Sequence, residues 1–232
     1  MIIAVINFSG NVGKTTIARH LLAPRLEGAE VIPIESINAD EIENDYSLRG
    51  KQYGALQQYL ATVEHAVIDV GASNVEDFMT LMQQYCGSHD DFDYFVVPTV
   101  PALKQQQDTI MTIAELATLG VPASKIRLLC NQATRQEELP SLYSGVYGYY
   151  LKEHAFTLNP AAIMYENELY SRLKTTGASI VQLLADTTDY KAAIRNTDDA
   201  NEKQQLAYRL ATRRLALGVA GELDAAFTAL IQ

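Results

Sequence analysis

Ile2-Ile3-Ala4-Val5-Ile6-Asn7-Phe8-Ser9-Gly10-Asn11-Val12-Gly13-Lys14-Thr15-Thr16 is the stretch on which the reading of this chain turns. A β-branched run over Ile2–Phe8 reads as a strand, and Thr15–Ala23 carries helical spacing of apolar residues. A strand, a glycine loop and a helix in succession are the context in which backbone N–H groups converge on a phosphate. Gly10 and Gly13 let the loop turn and approach the ligand, with Ser9, Asn11 and Val12 completing it. Lys14 is placed to reach β- and γ-phosphates, and the Thr15 hydroxyl to bind Mg2+. Thr16 would help hold the α-phosphate. The expected ligands are ATP and Mg2+, with the base preference left open.

The ordinary pattern G-x-x-x-x-G-K-[ST] would put its first glycine at Phe8, so it fails there. The match is to the deviant form K-G-G-x-G-K-[ST], aligned on Gly10, Asn11, Gly13, Lys14 and Thr15. The alternative, a glycine turn with an incidental lysine, is disfavoured by the flanking strand and helix.

Outward from the loop, further short strands are expected at Val31–Glu35, Ala66–Val70, Tyr94–Val97 and Ile126–Asn131, with a weaker sixth at Ala155–Leu158. Helix-compatible segments lie between them at Gln52–Thr62, Val75–Tyr85, Lys104–Leu119 and Pro140–His154. Such alternation predicts an α/β fold with a mainly parallel, doubly wound sheet flanked by helices and ligands at the strands' carboxyl ends. After Asp186 the chain turns Ala-, Arg- and Leu-rich. A helical hairpin or broken helix is expected there, interrupted at Gly218 and Gly221, either packing back on the sheet or facing a partner or membrane. The 232 residues are read as one domain, a core over 1–185 and a helical extension over 186–232.

Composition narrows the classes. Hydrophobic residues make up 48 % and charged residues 20 %, a globular balance without low-complexity tracts. A formal charge of −10 argues against sequence-independent DNA binding, which draws its affinity from cations displacing counterions. The apolar start lacks a basic leader, and no run approaches the roughly 20 residues needed to span a bilayer. A soluble, cytoplasmic protein is expected, with peripheral membrane or pole association left open. Cys86 and Cys130 are the only cysteines, and neither they nor the scattered His20, His65, His89 and His154 have the spacing of a metal site.

With these residues in place the chain resembles the ParA/MinD family of deviant-Walker P-loop ATPases, the likeness spanning residues 1 to about 185. Val67-Ile68-Asp69-Val70-Gly71 is similar to that family's third-strand motif. The resemblance implies that Asp69 contacts Mg2+ through water; read alone, it is equally a turn or N-cap carboxylate. Asn131 stands where the family places an asparagine reading the adenine edge, although asparagine also favours turns. Pro98 and Pro101 resemble the family's proline-marked strand end. Leu158-Asn159-Pro160 through Tyr165-Glu166-Asn167 to Gly177-Ala178-Ser179-Ile180 resembles its last nucleotide-side loop and helix.

Two departures bear on catalysis. Ser9 replaces the lysine that in the family reaches across a nucleotide-sandwich dimer. Asn38 lies nearest the place of its water-positioning aspartate, with Asp40 as a substitute if the loop is shifted. An amide orients water but is no base, so slow hydrolysis is expected. The acidic run Asp40, Glu41, Glu43, Asp45 reads as surface or switch, with a second metal site as the alternative. Lys104–Asp108 reads as a polar helix start or a switch-responsive one. Tyr143, Tyr147, Tyr149 and Tyr150 read as core packing rather than a nucleic-acid platform.

A closer resemblance, through Asn7–Thr15 and Asp69-Val70-Gly71-Ala72, is to StbB/TraL-type plasmid stability and conjugation proteins. It implies a homodimer working with a small DNA-binding partner. A metabolic phosphotransferase or ligase, and a non-hydrolytic ATP-sensing adaptor, are the rival readings.

Overall fold

The computed structural model describes residues 1–34 and 45–232, the side chains of 45–51 excepted. Asn38, Asp40, Glu41 and Glu43 therefore lie outside the described residues, and so does the side chain of Asp45. Six parallel strands, β1 (Ile2–Val5), β2 (Glu30–Ile34), β3 (Ala66–Val70), β4 (Tyr94–Thr99), β5 (Ile126–Ala133) and β6 (Ile163–Tyr165), form one sheet in the order β2-β3-β1-β4-β5-β6. The helices that follow are α1 (Lys14–Thr16), α2 (Asp45–Leu60), α3 (Val75–Gln84), α4 (Leu103–Thr118), α5 (Leu139–Leu142), α6 (Ser144–Glu153), α7 (Glu168–Thr176), α8 (Ile180–Ala185), α9 (Tyr190–Asn196) and α10 (Ala200–Ile231). Helix α1 runs on as wider π turns over Ile17–Leu22. The expected doubly wound fold with a helical C-terminal extension is observed.

Strand alternation builds two cores, because successive side chains leave a strand on opposite faces. Ile2, Ala4 and Ile6 join Ile68, Phe95, Val97 and Leu128 against Tyr53 and Leu56 of α2, Phe78 and Met82 of α3, and Ile113 and Leu116 of α4. Ile3 and Val5 join Val67, Val96 and Leu129 on the other face, under Ile17 and Leu21, Leu169 and Leu173 of α7, and Val219, Leu223 and Leu230 of α10. Burial on both faces explains why the central strands are near-continuous apolar runs rather than regular alternations with polar residues.

Three expectations need correction. No strand forms at Ala155–Leu158; a single parallel bridge joins Arg127 to Thr157, and β6 comes later. Between them Ala162 N–H turns back to Asn159 O at 2.9 Å, around Pro160, which has no N–H to pair. The helix expected over Pro140–His154 divides at Tyr143 (φ −115°, ψ 37°), whose ring is fully buried.

The C-terminal segment is a short α9 followed by α10, and the interruption expected at Gly218 and Gly221 does not occur. Helix α10 runs unbroken for 32 residues from its Asp199 cap, whose carboxylate accepts from Asn201 and Glu202 N–H. Gly218 and Gly221 lie on its exposed side with open space around them. Each costs about 1 kcal/mol relative to alanine, less than the roughly 1.5–3 kcal/mol gained by each buried Val219, Leu223 or Leu230. Helix α10 thus packs back on the sheet. No helix among the described residues is long and apolar enough to cross a membrane.

Candidate nucleotide site

The loop between β1 and α1 is held from beneath by polar side chains. Asn7 Nδ2 donates to Pro98 O and to Thr109 Oγ1 of α4, both at 2.8 Å, while its Oδ1 accepts the Ser9 N–H at 2.7 Å. Phe8 N–H donates to Thr112 Oγ1 at 3.1 Å. Thus α4 supplies hydroxyl acceptors to two polar groups of the loop, the Asn7 amide and the Phe8 N–H. Asn11 (φ 59°) and Gly13 (φ 90°) take left-handed conformations, and Ile17 N–H closes the first helical bond onto Gly13 O at 2.9 Å.

Lys14 is only 8 % exposed. Its Nζ donates to Asn7 O at 2.9 Å and Ser9 O at 2.7 Å. Burial pushes its pKa down to about 8, opposed by the nearby Asp69 carboxylate. Asp69 lies at the end of β3, in register with Val5 of β1, and faces the same cleft. Ser9 is buried, its N–H spent on Asn7. Thr15 is exposed at the start of α1 and Thr16 half-buried beside it.

These residues open into a cleft of about 1000 Å³ at the carboxyl ends of the strands. One wall carries Asp69, Gly71 and Ala72. Gly71 N–H and Asn74 Nδ2 both donate to Ile34 O at 3.0 Å, tying the end of β2 to that wall. The opposite wall carries Asn131 and Gln132 from β5, then Tyr165 through Glu168, Tyr170, Ser171 and Lys174. Asn131 is 6 % exposed; its Nδ2 donates to Val12 O at 2.8 Å, and its carbonyl accepts the Tyr143 hydroxyl at 2.7 Å. Asn167 caps α7 by accepting the Leu169 N–H.

The structure therefore brings Gly10, Asn11, Gly13, Lys14, Thr15, Thr16, Asp69 and Asn131 to one cleft, with Ser9 and Val12 in the buried underside of the loop. Asn131 is turned to the loop as well as to the cleft. Gln132, Ser171 and Lys174 are cleft residues that sequence reasoning missed. Gln132 had only its place beside Asn131 to mark it, and Lys174 had no signal. Among the described residues no group of three or more His, Cys, Asp or Glu converges as a metal would require. A threonine hydroxyl and one carboxylate are instead the oxygen donors for a cation carried largely by phosphate oxygens, the way Mg2+ is usually held, and the Lys14 ammonium suits the phosphates themselves.

No protein-family model and no curated protein matches the chain. Solved structures do. The MinD cell division protein of Aquifex aeolicus aligns over 94 % of this chain and 97 % of its own, with a TM-score of 0.53 at 11 % identity. Apo McdA of Cyanthece aligns over 90 % and 98 %, with a TM-score of 0.53 at 13 % identity. The MinC:MinD cell division protein complex of Aquifex aeolicus aligns over 94 % and 96 %, with a TM-score of 0.51 at 12 % identity. At such identities the likeness is one of fold.

Proposed function

We propose that this chain is an ATP- and Mg2+-binding switch protein of the ParA/MinD kind, with slow ATP hydrolysis. The observation that carries the reading is the convergence of Lys14, Thr15 and Asp69 with the left-handed loop Asn11–Gly13 at one end of a parallel sheet. In this reading the loop N–H groups and the start of α1 hold the phosphates. Lys14 leaves the Asn7 and Ser9 carbonyls to meet the terminal phosphate. The Thr15 hydroxyl and, through water, Asp69 would hold Mg2+, which would supply positive charge beside the transferred phosphoryl group.

Asn131 and the Tyr165–Glu168 wall take the base, and Asn38 or Asp40 orients the attacking water. Nucleotide state is read out through homodimerisation and the capture of a partner protein, as the MinC:MinD complex supports in kind. The finer reading is a role in plasmid stability or conjugative DNA transfer beside a small DNA-binding partner, in the cytoplasm or at a membrane or pole. It rests on the StbB/TraL resemblance of Asn7–Thr15 and Asp69–Ala72. The whole chain acts as one domain, residues 1–185 binding nucleotide and 186–232 bracing it.

The burial of Ser9 favours a second reading. With no lysine there to reach a partner's nucleotide, the protein would sense ATP as a non-hydrolytic adaptor. One experiment separates the two. ATP and GTP are titrated calorimetrically with Mg2+, and phosphate release is measured on the same sample, for the wild type, Lys14→Ala and Asn38→Asp. ATP binding with slow release, abolished by Lys14→Ala and raised by Asn38→Asp, supports the switch. Binding without release in every variant supports the adaptor, and absence of binding refutes both.

A further inference from the structure

Strand β5 alternates in the usual way as far as Leu129 and Cys130, which join opposite cores. Continued alternation would send Asn131 and Gln132 to opposite faces. Instead Gln132 adopts a left-handed backbone (φ 57°), and the pairing of β5 with β6 shifts register between Cys130 and Ala133. The irregularity turns both consecutive amides onto the same loop. Asn131 Nδ2 donates to Val12 O at 2.8 Å, and Gln132 Nε2 to Asn11 O at 3.4 Å.

Consecutive amides thus grip consecutive carbonyls. A trans peptide is planar, with its C=O and N–H pointing in opposite directions. A hold on Asn11 O therefore aims the N–H of Val12, and a hold on Val12 O aims that of Gly13. From behind, the buried Tyr143 hydroxyl fixes Asn131 through its carbonyl. A left-handed glutamine is costly, and such strain persists where the surroundings enforce it, often at functional sites.

We propose that Gln132 is a positioning residue: with Asn131 it forms a two-amide clamp that sets the direction of the Val12 and Gly13 N–H groups toward phosphate. The phosphate part rests on the proposed function, whereas the clamp itself stands on the ligand-free geometry. Loosening the clamp leaves the loop attached but misaimed, so affinity falls without loss of fold.

The test uses the full chain with Gln132→Ala and Gln132→Gly. Glycine accepts the left-handed backbone freely, so Gln132→Gly is expected to melt at or above the wild-type temperature. Backbone amide order parameters measured by NMR without ligand are expected to fall at Val12 and Gly13 in both variants and nowhere else. ATP·Mg2+ affinity is expected to fall about 2- to 10-fold in both, the worth of one net hydrogen bond. Wild-type order parameters at Val12 and Gly13 in Gln132→Gly overturn the clamp, whether or not nucleotide binds. So does loosening across the whole molecule that tracks a lowered melting temperature. If Val12 and Gly13 loosen but wild-type protein takes up no ATP·Mg2+, the clamp stands and the proposed function falls.

Discussion

Replacing Gly13 with alanine tests the geometry of the loop most directly. The backbone there has φ 90°, and an added Cβ would stand 2.3 Å from Asn131 Nδ2 and 3.6 Å from its Cγ. Placing an L-residue in a left-handed conformation costs about 1–2 kcal/mol. The amide must also move, which breaks its bond to Val12 O for about 1 kcal/mol more. Gly13→Ala should therefore destabilise by about 2–3 kcal/mol, lowering the melting temperature by about 4–12 °C for a chain of this size. Urea unfolding of Gly13→Ala, Asn131→Ala and the double variant completes the measurement. The clash vanishes once Asn131 is truncated, so the double variant should be more stable than the two single losses added together. A Gly13→Ala protein within about 0.5 kcal/mol of wild type, the usual range for an uneventful surface change, would refute the reasoning.

Lys14 gives a pH dependence whose sign follows from its lowered pKa of about 8. Between about 8 and the unfolded value of 10.5 the unfolded chain holds the extra proton, so the stability of wild type relative to Lys14→Met should rise across that window. Denaturant titrations at several pH values read it, and a falling difference would contradict the burial. Thr112→Val keeps the shape of a fully buried side chain but leaves the Phe8 N–H without its acceptor. A loss of about 1–3 kcal/mol in chemical denaturation is expected, and a neutral result would remove α4 from the support of the loop. Gly218→Ala and Gly221→Ala should each stabilise by about 0.5–1 kcal/mol, because both face open space within a continuous helix. Destabilisation by either, read by thermal melting, would point to a break in α10.

How far the fold can be read from the residues depends on whether the deciding signal is local. Strands β1, β3, β4 and β5 are legible because each is a short, dense run of large apolar residues, and the loop because its spacing is tied to one chemistry. Strand β6 is only three residues long, and its identity comes from pairing with β5 rather than from its own composition. The continuity of α10 is illegible for a related reason. Two glycines speak locally for a break, while the residues that overrule them belong to one core with Ile3, Val96 and Leu129 far away in the chain. That Lys14, Thr15 and Asp69 share one cleft is legible through motif and strand end. Gln132 is not, because what matters there is a backbone angle set by an irregular pairing with β6.

The sharing of one core between β1 and α10 also has a meaning for biosynthesis. Ile3 and Val5 leave the ribosome long before Val219, Leu223 and Leu230, which complete their side of the sheet. The opposite face, closed by α2, α3 and α4, has its partners much earlier. A nascent or prematurely terminated chain thus passes through a stage with one finished face and one sticky one. That stage is where chaperones would bind it and where a nonsense mutation late in the sequence would lead to aggregation rather than to a smaller working protein.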